Sequence, residues 1–222
     1  MIDHIYGRMR DRSRNGPYDT EVLGLEISVL PNVYSPIFFT DSAWFSKTLS
    51  EIVGPSRLLE IGTGTGLISL FCASKGAEVT ATDINPKAVE NSRLNANRND
   101  ISLDVRQGNV FSCIDQSEKF DFIFWAHPFN YSATPSSDPY VITGFDYLYE
   151  SLEKYISQAP YFLSDRGRLL LGSGDSADLE RIYDIAERSG YGTSVIREER
   201  MPIDDQKSSY ITYMVLEFFL RK

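Results

Sequence analysis

The most constraining stretch of this chain is Leu59-Glu60-Ile61-Gly62-Thr63-Gly64-Thr65-Gly66, which joins an apolar strand-like run to an apolar helix-like run. Glycines at alternate positions let the backbone turn sharply and lie flat beneath a ligand, because none carries a Cβ. A buried strand that feeds such a turn and opens directly into a helix belongs to layered α/β architectures, which bind ligands at strand ends.

The surrounding pattern agrees. Residues 57–61 read as a buried strand and 67–75 as a helix stopped by Gly76. A second strand, 77–82, ends at Asp83, and Pro86 sits in the first turn of a helix running to Arg98. A third strand covers 103–106. The fourth, 120–125, is almost wholly apolar and expected to be buried on both faces. Residues 126–144 contain Pro128, Pro135 and Pro139 without a helical period, which predicts a long loop. A long helix is then expected, with Phe145, Leu148, Leu152, Ile156, Ala159 and Leu163 on one stripe. A strand at 167–171, a helix at 176–189 and strand-like pieces at 191–196 and 210–220 complete the chain. No helix separates the last two, so the final strand should return antiparallel. The expected fold is a Rossmann-like, doubly wound, mostly parallel seven-stranded sheet with an antiparallel last strand.

Ahead of it lies a small N-terminal extension. Residues 1–20 are polar and read as a loose arm, and 21–30 alternate as a strand or hairpin. The extension is assigned to 1–40 and the main domain to 41–222. A helix opens at Thr40-Asp41-Ser42, with Asp41 or Ser42 as N-cap and Phe45, Leu49 and Ile52 on one face, and ends at Gly54-Pro55. Tyr6, Tyr18 and Arg8, Arg10, Arg12 and Arg14 offer two readings: a lid folded over the cleft, or a solvated tail.

Composition narrows the partners. The chain has 31 acidic and 22 basic residues, a formal charge of −9, which disfavours a nucleic-acid partner. The arm has no apolar h-region of a signal peptide, and no run approaches the ~20 apolar residues of a membrane span. Cys72 and Cys113 read as reduced thiols of a cytoplasmic protein, and His4 and His127 are too few for a His-rich metal site, so no metal is expected.

Asp83 ends the second strand about 20 residues beyond the glycine turn, where an acidic residue grips ribose hydroxyls in dinucleotide-type folds. Asn109 ends the third. With the glycine turn they would line one cleft across consecutive strand ends. A nicotinamide dinucleotide site wants a third glycine where this chain has Leu67, and its pyrophosphate would be repelled by Glu60. A carboxylate there suits a ligand carrying an ammonium and a sulfonium and no phosphate, which describes S-adenosylmethionine.

On these residues the chain resembles the class I S-adenosylmethionine-dependent methyltransferases, over about residues 33–220. The resemblance implies that Glu60, Gly62, Thr63, Gly64 and Gly66 cradle the methionine moiety. Asp83, with Ile84, takes the ribose, and Asn109, with Val110, takes the adenine. A closer likeness is to the small-domain branch, which includes release-factor glutamine and ribosomal guanine methyltransferases. Val33-Tyr34-Ser35-Pro36 and Thr40-Asp41-Ser42 are similar to its segment ahead of the glycine loop, which implies that Thr40 and Asp41 lie near the methionine carboxylate end.

The pattern breaks at the acceptor. That branch carries Asn-Pro-Pro-Tyr after the fourth strand, and here the aligned residues are Ala126-His127-Pro128-Phe129. Ala126 keeps a place beside the cofactor but offers no side-chain acceptor. His127 has two readings: it positions the acceptor or removes its proton with an ordinary imidazole pKa, or it packs beside Trp125 and bonds a backbone group. Asn130 is a second candidate to replace the missing amide. Trp125, Phe129, Tyr131, Tyr140, Phe145, Tyr147 and Tyr149 cluster nearby, Phe145 as core and the loop tyrosines as an apolar wall for a small substrate.

The leading expectation is methyl transfer to a small-molecule acceptor, a metabolite or natural-product intermediate, bound beside residues 126–131. The alternative is a protein or peptide side-chain N-methyltransferase. An RNA methyltransferase is disfavoured by charge, and an inactive S-adenosylmethionine-binding module is kept open by Ala126.

Overall fold

A computed structural model describes residues 2–204, 207 and 209–221. Helix α1 (Ile2–Arg14) leads into a hairpin of β1 (Tyr18–Val22) and β2 (Leu25–Val29). Leu23 and Gly24 both have positive φ, 56° and 77°, which gives the two-residue turn whose twist matches its strands. Helix α2 (Asp41–Val53) precedes the alternating part: β3 (Arg57–Ile61), α3 (Leu67–Ser74), β4 (Glu78–Asp83), α4 (Pro86–Arg98), β5 (Asp104–Gln107) and β6 (Phe120–Ala126). Then come β7 (Asn130–Ser132), α5 (Pro139–Ile142), β8 (Phe145–Tyr147), α6 (Glu150–Gln158), β9 (Leu163–Gly174), α7 (Leu179–Arg188), β10 (Tyr191–Pro202) and β11 (Tyr210–Leu220).

Seven strands form one sheet in the order β10-β11-β9-β6-β3-β4-β5. Only β11 runs against its neighbours, as expected for two strands joined without a helix. Alternation along each strand divides the core in two. Leu59, Ile61, Ile123, Leu169 and Leu171 face α6 and α7, while Leu58, Phe124 and Leu170 face α2 and α3. Glu60 has the parity of Leu58, which turns a carboxylate into the second core, where it is 1% exposed. Strand order reverses at β3, because β4 follows on one side and β6 lies on the other.

Several expectations are corrected. The loose arm is helix α1, whose Ile5, Tyr6 and Met9 share one buried stripe hidden among arginines. Thr40, rather than Asp41 or Ser42, is the N-cap position of α2. The 126–144 loop is not featureless, for β7 pairs with β8 in a small parallel ribbon and α5 lies between them. The long helix is shorter than its apolar stripe. Leu148 and Tyr149 take φ of 53° and 54°, and Asp146 accepts the Leu152 amide at 3.0 Å, so the helix begins only at Glu150. Pro160 lies in a 3₁₀ turn after it, and Leu163 already belongs to β9. Phe145 is therefore a half-buried strand residue and begins no helix.

Packing of α1 is testable with trypsin, because its arginines lie within the helix and Arg10 pairs with Asp138 at 2.7 Å. Met9→Asp should undock α1 and speed cleavage at Arg8–Arg14 by at least about tenfold, since burying the charge opposes docking. Equal cleavage of variant and wild type would show that α1 is already loose.

Candidate active site

The carboxyl ends of β3, β4, β5 and β6 open into one cavity of about 390 Å³. This is the edge, at the reversal of strand order, where a doubly wound sheet leaves room for a ligand. Residues 60–65, 83–85, 108–110 and 125–130 form its floor and sides. Val33, Tyr34, Phe39, Asp41 and Ser42 also line it, as do Tyr6, residues 142–147, Ile203, Ile211 and Tyr213.

Geometry of the glycine turn separates it from a phosphate cradle. The Thr63 amide donates to the Thr82 carbonyl at 2.9 Å, the Gly64 amide to Asp83 Oδ2 at 2.9 Å and the Gly66 amide to the Thr63 carbonyl at 2.8 Å. These amides are already engaged, so they do not present the row of free donors that a pyrophosphate requires. Gly62 has φ of 70°, and a Cβ there would stand 2.8 Å from the Trp125 indole nitrogen, so this glycine lets the turn lie against β6. Among the described residues other than its chain neighbours, nothing lies within 4 Å of a Cβ built on Gly64.

Electrostatics point the same way. Asp41, Glu60, Asp83 and Asp146 line the cavity, and among the described residues no Lys or Arg does. The Glu60 carboxylate accepts hydrogen bonds from the hydroxyls of Ser69 and of Thr63, the latter at 3.1 Å. Burial nevertheless pushes it up to about 7, with the charge of Asp83 adding to the effect. Burial also raises Asp83, against the amides of Gly64 and Asn85 that hold its two oxygens, and raises Asp41, against the Tyr34 hydroxyl at 2.9 Å. Such desolvated carboxylates favour a cationic ligand that lacks phosphate, so the donor set fits S-adenosylmethionine.

Of the expected cofactor residues, Asp41, Glu60, Gly62, Thr63, Gly64, Asp83, Ile84, Asn109, Val110 and Ala126 line the cavity. Thr40 and Gly66 do not. The Thr40 hydroxyl is taken by the Pro202 carbonyl at 2.5 Å and lies 3.3 Å from the Tyr213 hydroxyl, so it ties α2 to the tip of β10. Gly66 is a packing glycine, whose Cβ would stand 2.6 Å from Ser92 Oγ of α4.

At the acceptor end His127 is 2% exposed and lines the cavity. Its Nε2 lies 3.1 Å from Ser173 Oγ, a side chain rather than a backbone group, and its buried Nδ1 has no hydrogen-bond partner among the described residues. Burial drives its pKa down to about 3, which favours the neutral ring and weighs against the one of its two readings that relies on an ordinary imidazole pKa. Asn130 donates from Nδ2 to the Gly144 carbonyl at 2.9 Å, while none of the described residues donates to its Oδ1. The tyrosine wall is only partly present. Trp125, Phe129, Phe145 and Tyr147 line the cavity, whereas Tyr140 and Tyr149 are core, the latter donating to the Phe129 carbonyl at 2.5 Å. Ile203, Ile211 and Tyr213 of the β10–β11 tip were beyond the reach of sequence, since long-range strand pairing brings them there.

Comparison with known proteins agrees with this geometry. The methyltransferase small domain family model matches residues 24–188. A Methanocaldococcus jannaschii relative, provisionally named a protein N5-glutamine methyltransferase, is 30% identical over 191 residues, 83% of this chain and 94% of its own length. The release factor glutamine methyltransferase of Pasteurella multocida is 26% identical, over 67% of this chain and 57% of its own, so the chain spans little more than half of that relative. Among solved structures, a T. thermophilus 16S rRNA N2 methyltransferase in complex with AdoMet and guanosine superposes with a TM-score of 0.60 at 19% identity, covering 92% of this chain and 50% of its own. The chain belongs to the methyltransferase small domain family and is an S-adenosylmethionine-dependent methyltransferase.

A cation bound near Glu60 favours its ionised form, so binding releases a proton. Affinity for S-adenosylmethionine should therefore rise as pH climbs from about 5 and level off above about 7, by at most about tenfold per unit. Calorimetry across this range checks it. Glu60→Gln should flatten the dependence; an unchanged slope in that variant would assign the proton to another group.

Proposed function

We propose that this methyltransferase acts on a protein side-chain nitrogen, the amide of a glutamine. The observation that carries this reading is the likeness to the M. jannaschii relative, which extends over 94% of that protein. It favours the expected alternative over a small-molecule acceptor.

In this reading Glu60, Gly62, Thr63 and Gly64 hold the methionine end of the cofactor, with Asp41 nearby. Asp83 and Ile84 hold the ribose, Asn109 and Val110 the adenine, and Ala126 flanks the transfer path. When bound, S-adenosylmethionine supplies an electrophilic methyl carbon on a sulfonium that leaves as a neutral thioether. The chain's task is then to hold the acceptor nitrogen in line with that carbon. An amide nitrogen is a weak nucleophile, because its lone pair is delocalised. Acceptors for its N–H groups orient what nucleophilicity it has.

Asn130 Oδ1 is such an acceptor, steadied through Nδ2 by Gly144, and it stands in for the amide absent at Ala126. His127, neutral and bonded to Ser173, acts by hydrogen bonding and packing rather than by carrying a proton. Transfer leaves the nitrogen protonated and cationic, and an N-protonated amide is acidic enough to give that proton to water, which yields the neutral methyl amide. Residues 1–40 serve as a lid over the 41–222 domain, with Tyr6 in contact with the cavity. Among the described residues no helix is long and apolar enough to cross a membrane, and the two free thiols fit a cytoplasmic enzyme. The lack of a lining Lys or Arg among the described residues argues against an acceptor held through phosphates, RNA included.

A small-molecule acceptor is the second reading, favoured by the largely apolar lining that Tyr6, Ile203, Ile211 and Tyr213 add to the cavity. Labelled cofactor incubated with a cell extract separates the two. Methylglutamine recovered from the digested protein fraction is expected, and label confined to the small-molecule fraction would reverse the order.

Asn130→Ala should lower kcat by about a hundredfold while cofactor affinity stays within about twofold, the pattern of a group acting at the reacting centre. In the wild type, kcat should show no inflection near pH 6.5. An inflection there that disappears in His127→Gln would restore the imidazole as a proton carrier.

A further inference from the structure

Strand β2 pairs with β1 along one edge only. Its other edge is met by Asn91 and Asn95 of α4 and by Asn99 at that helix's C-cap, spaced to fall on one side. Their Oδ1 atoms accept the amides of Leu30, Ser28 and Glu26 at 2.8, 2.8 and 3.0 Å. Their Nδ2 groups return bonds to the Ser28 carbonyl, from Asn91 at 2.7 Å and Asn95 at 2.9 Å, and to the Glu26 carbonyl, from Asn99 at 2.8 Å. A helix face thus supplies a strand edge with the hydrogen bonds that another strand would give.

One rung differs from the others. Asn95, fully buried, also donates from Nδ2 to the Thr65 carbonyl of the glycine turn at 2.9 Å. Thr65 lines the cofactor cavity, and so do Val33 and Tyr34, which follow β2 in the chain. Asn91 is equally buried and also bonded to the hairpin, yet among the described residues it makes no hydrogen bond to the turn.

We propose that Asn95 is a positioning residue for the cofactor site, joining the N-terminal hairpin to the glycine turn so that hairpin docking and cofactor binding strengthen each other. The inference rests on the cavity holding the cofactor and is independent of the acceptor. Coupling of this kind is reciprocal: whatever the docked hairpin adds to cofactor affinity, the bound cofactor adds to hairpin docking.

Adenosylhomocysteine is the probe. In the wild type it should slow amide exchange at Glu26, Ser28 and Leu30 by at least about fivefold, although these amides lie outside the cavity. Asn91→Ala and Asn95→Ala should both lower Tm, but only Asn95→Ala should weaken adenosylhomocysteine binding, by about tenfold. Equal weakening in both variants, or wild-type affinity in Asn95→Ala, would reduce Asn95 to a strand-edge partner. Should Asn95→Ala not fold, the wild-type exchange decides: protection of the three amides supports the coupling, and unchanged exchange with ligand bound overturns it. Failure of adenosylhomocysteine to bind the wild type at all would remove the cofactor reading, and this inference with it.

Discussion

The site is organised around a carboxylate that the fold places where a carboxylate is costly. Glu60 points into the core by the parity of its strand, between Leu58 and the first turns of α3. Two hydroxyls, from Thr63 and Ser69, offset part of the desolvation, and among the described residues no Lys or Arg lines the cavity beside it. What remains is an unmatched preference for positive charge at the start of the glycine turn. Asp83 repeats it one strand over, its oxygens held by backbone amides that also shape the turn. The same carboxylates that make the pocket receptive to a sulfonium therefore keep the loop folded before any ligand arrives.

This dual use explains which parts of the site could be read in advance. Glu60, Gly62, Gly64, Asp83 and Asn109 follow from local spacing, because each lies at the end of a strand whose boundaries are set by its own neighbours. Gly66 and Thr40 share the motif positions but are drawn away by tertiary contacts, with Ser92 in one case and with Pro202 and Tyr213 in the other. No spacing rule reports on a partner 162 residues distant.

The alternating core behaves in the same way. Strands β3, β4 and β6 and helices α3 and α4 appear within a residue or so of their expected limits, since apolar period and breakers agree there. The errors fall where a pattern had two meanings. Phe145 and Leu148 fit a helical stripe, but two consecutive residues with positive φ and the capping Asp146 assign them to a ribbon and a turn. Polar composition in the first residues concealed a stripe of Ile5, Tyr6 and Met9, which is apolar only when wound into a helix and finds its core in α2 and the segment before it.

The ribbon also bears on the acceptor. Losing the amide at Ala126 would leave a cavity wall without polar direction if the chain ran on as open loop. Instead β7 pairs with β8, and the Asn130 backbone amide and Nδ2 both reach the Gly144 carbonyl, at 3.0 and 2.9 Å. A Cβ at Gly144 would collide with the Tyr6 hydroxyl, so the same residue that steadies Asn130 also sets how closely α1 can approach. Asn130 and helix α1 thereby share one anchor. An asparagine on a strand, held from both its main chain and its side chain, is a more rigid hydrogen-bond acceptor than one on a free loop, and rigidity is what the role proposed for Asn130 demands.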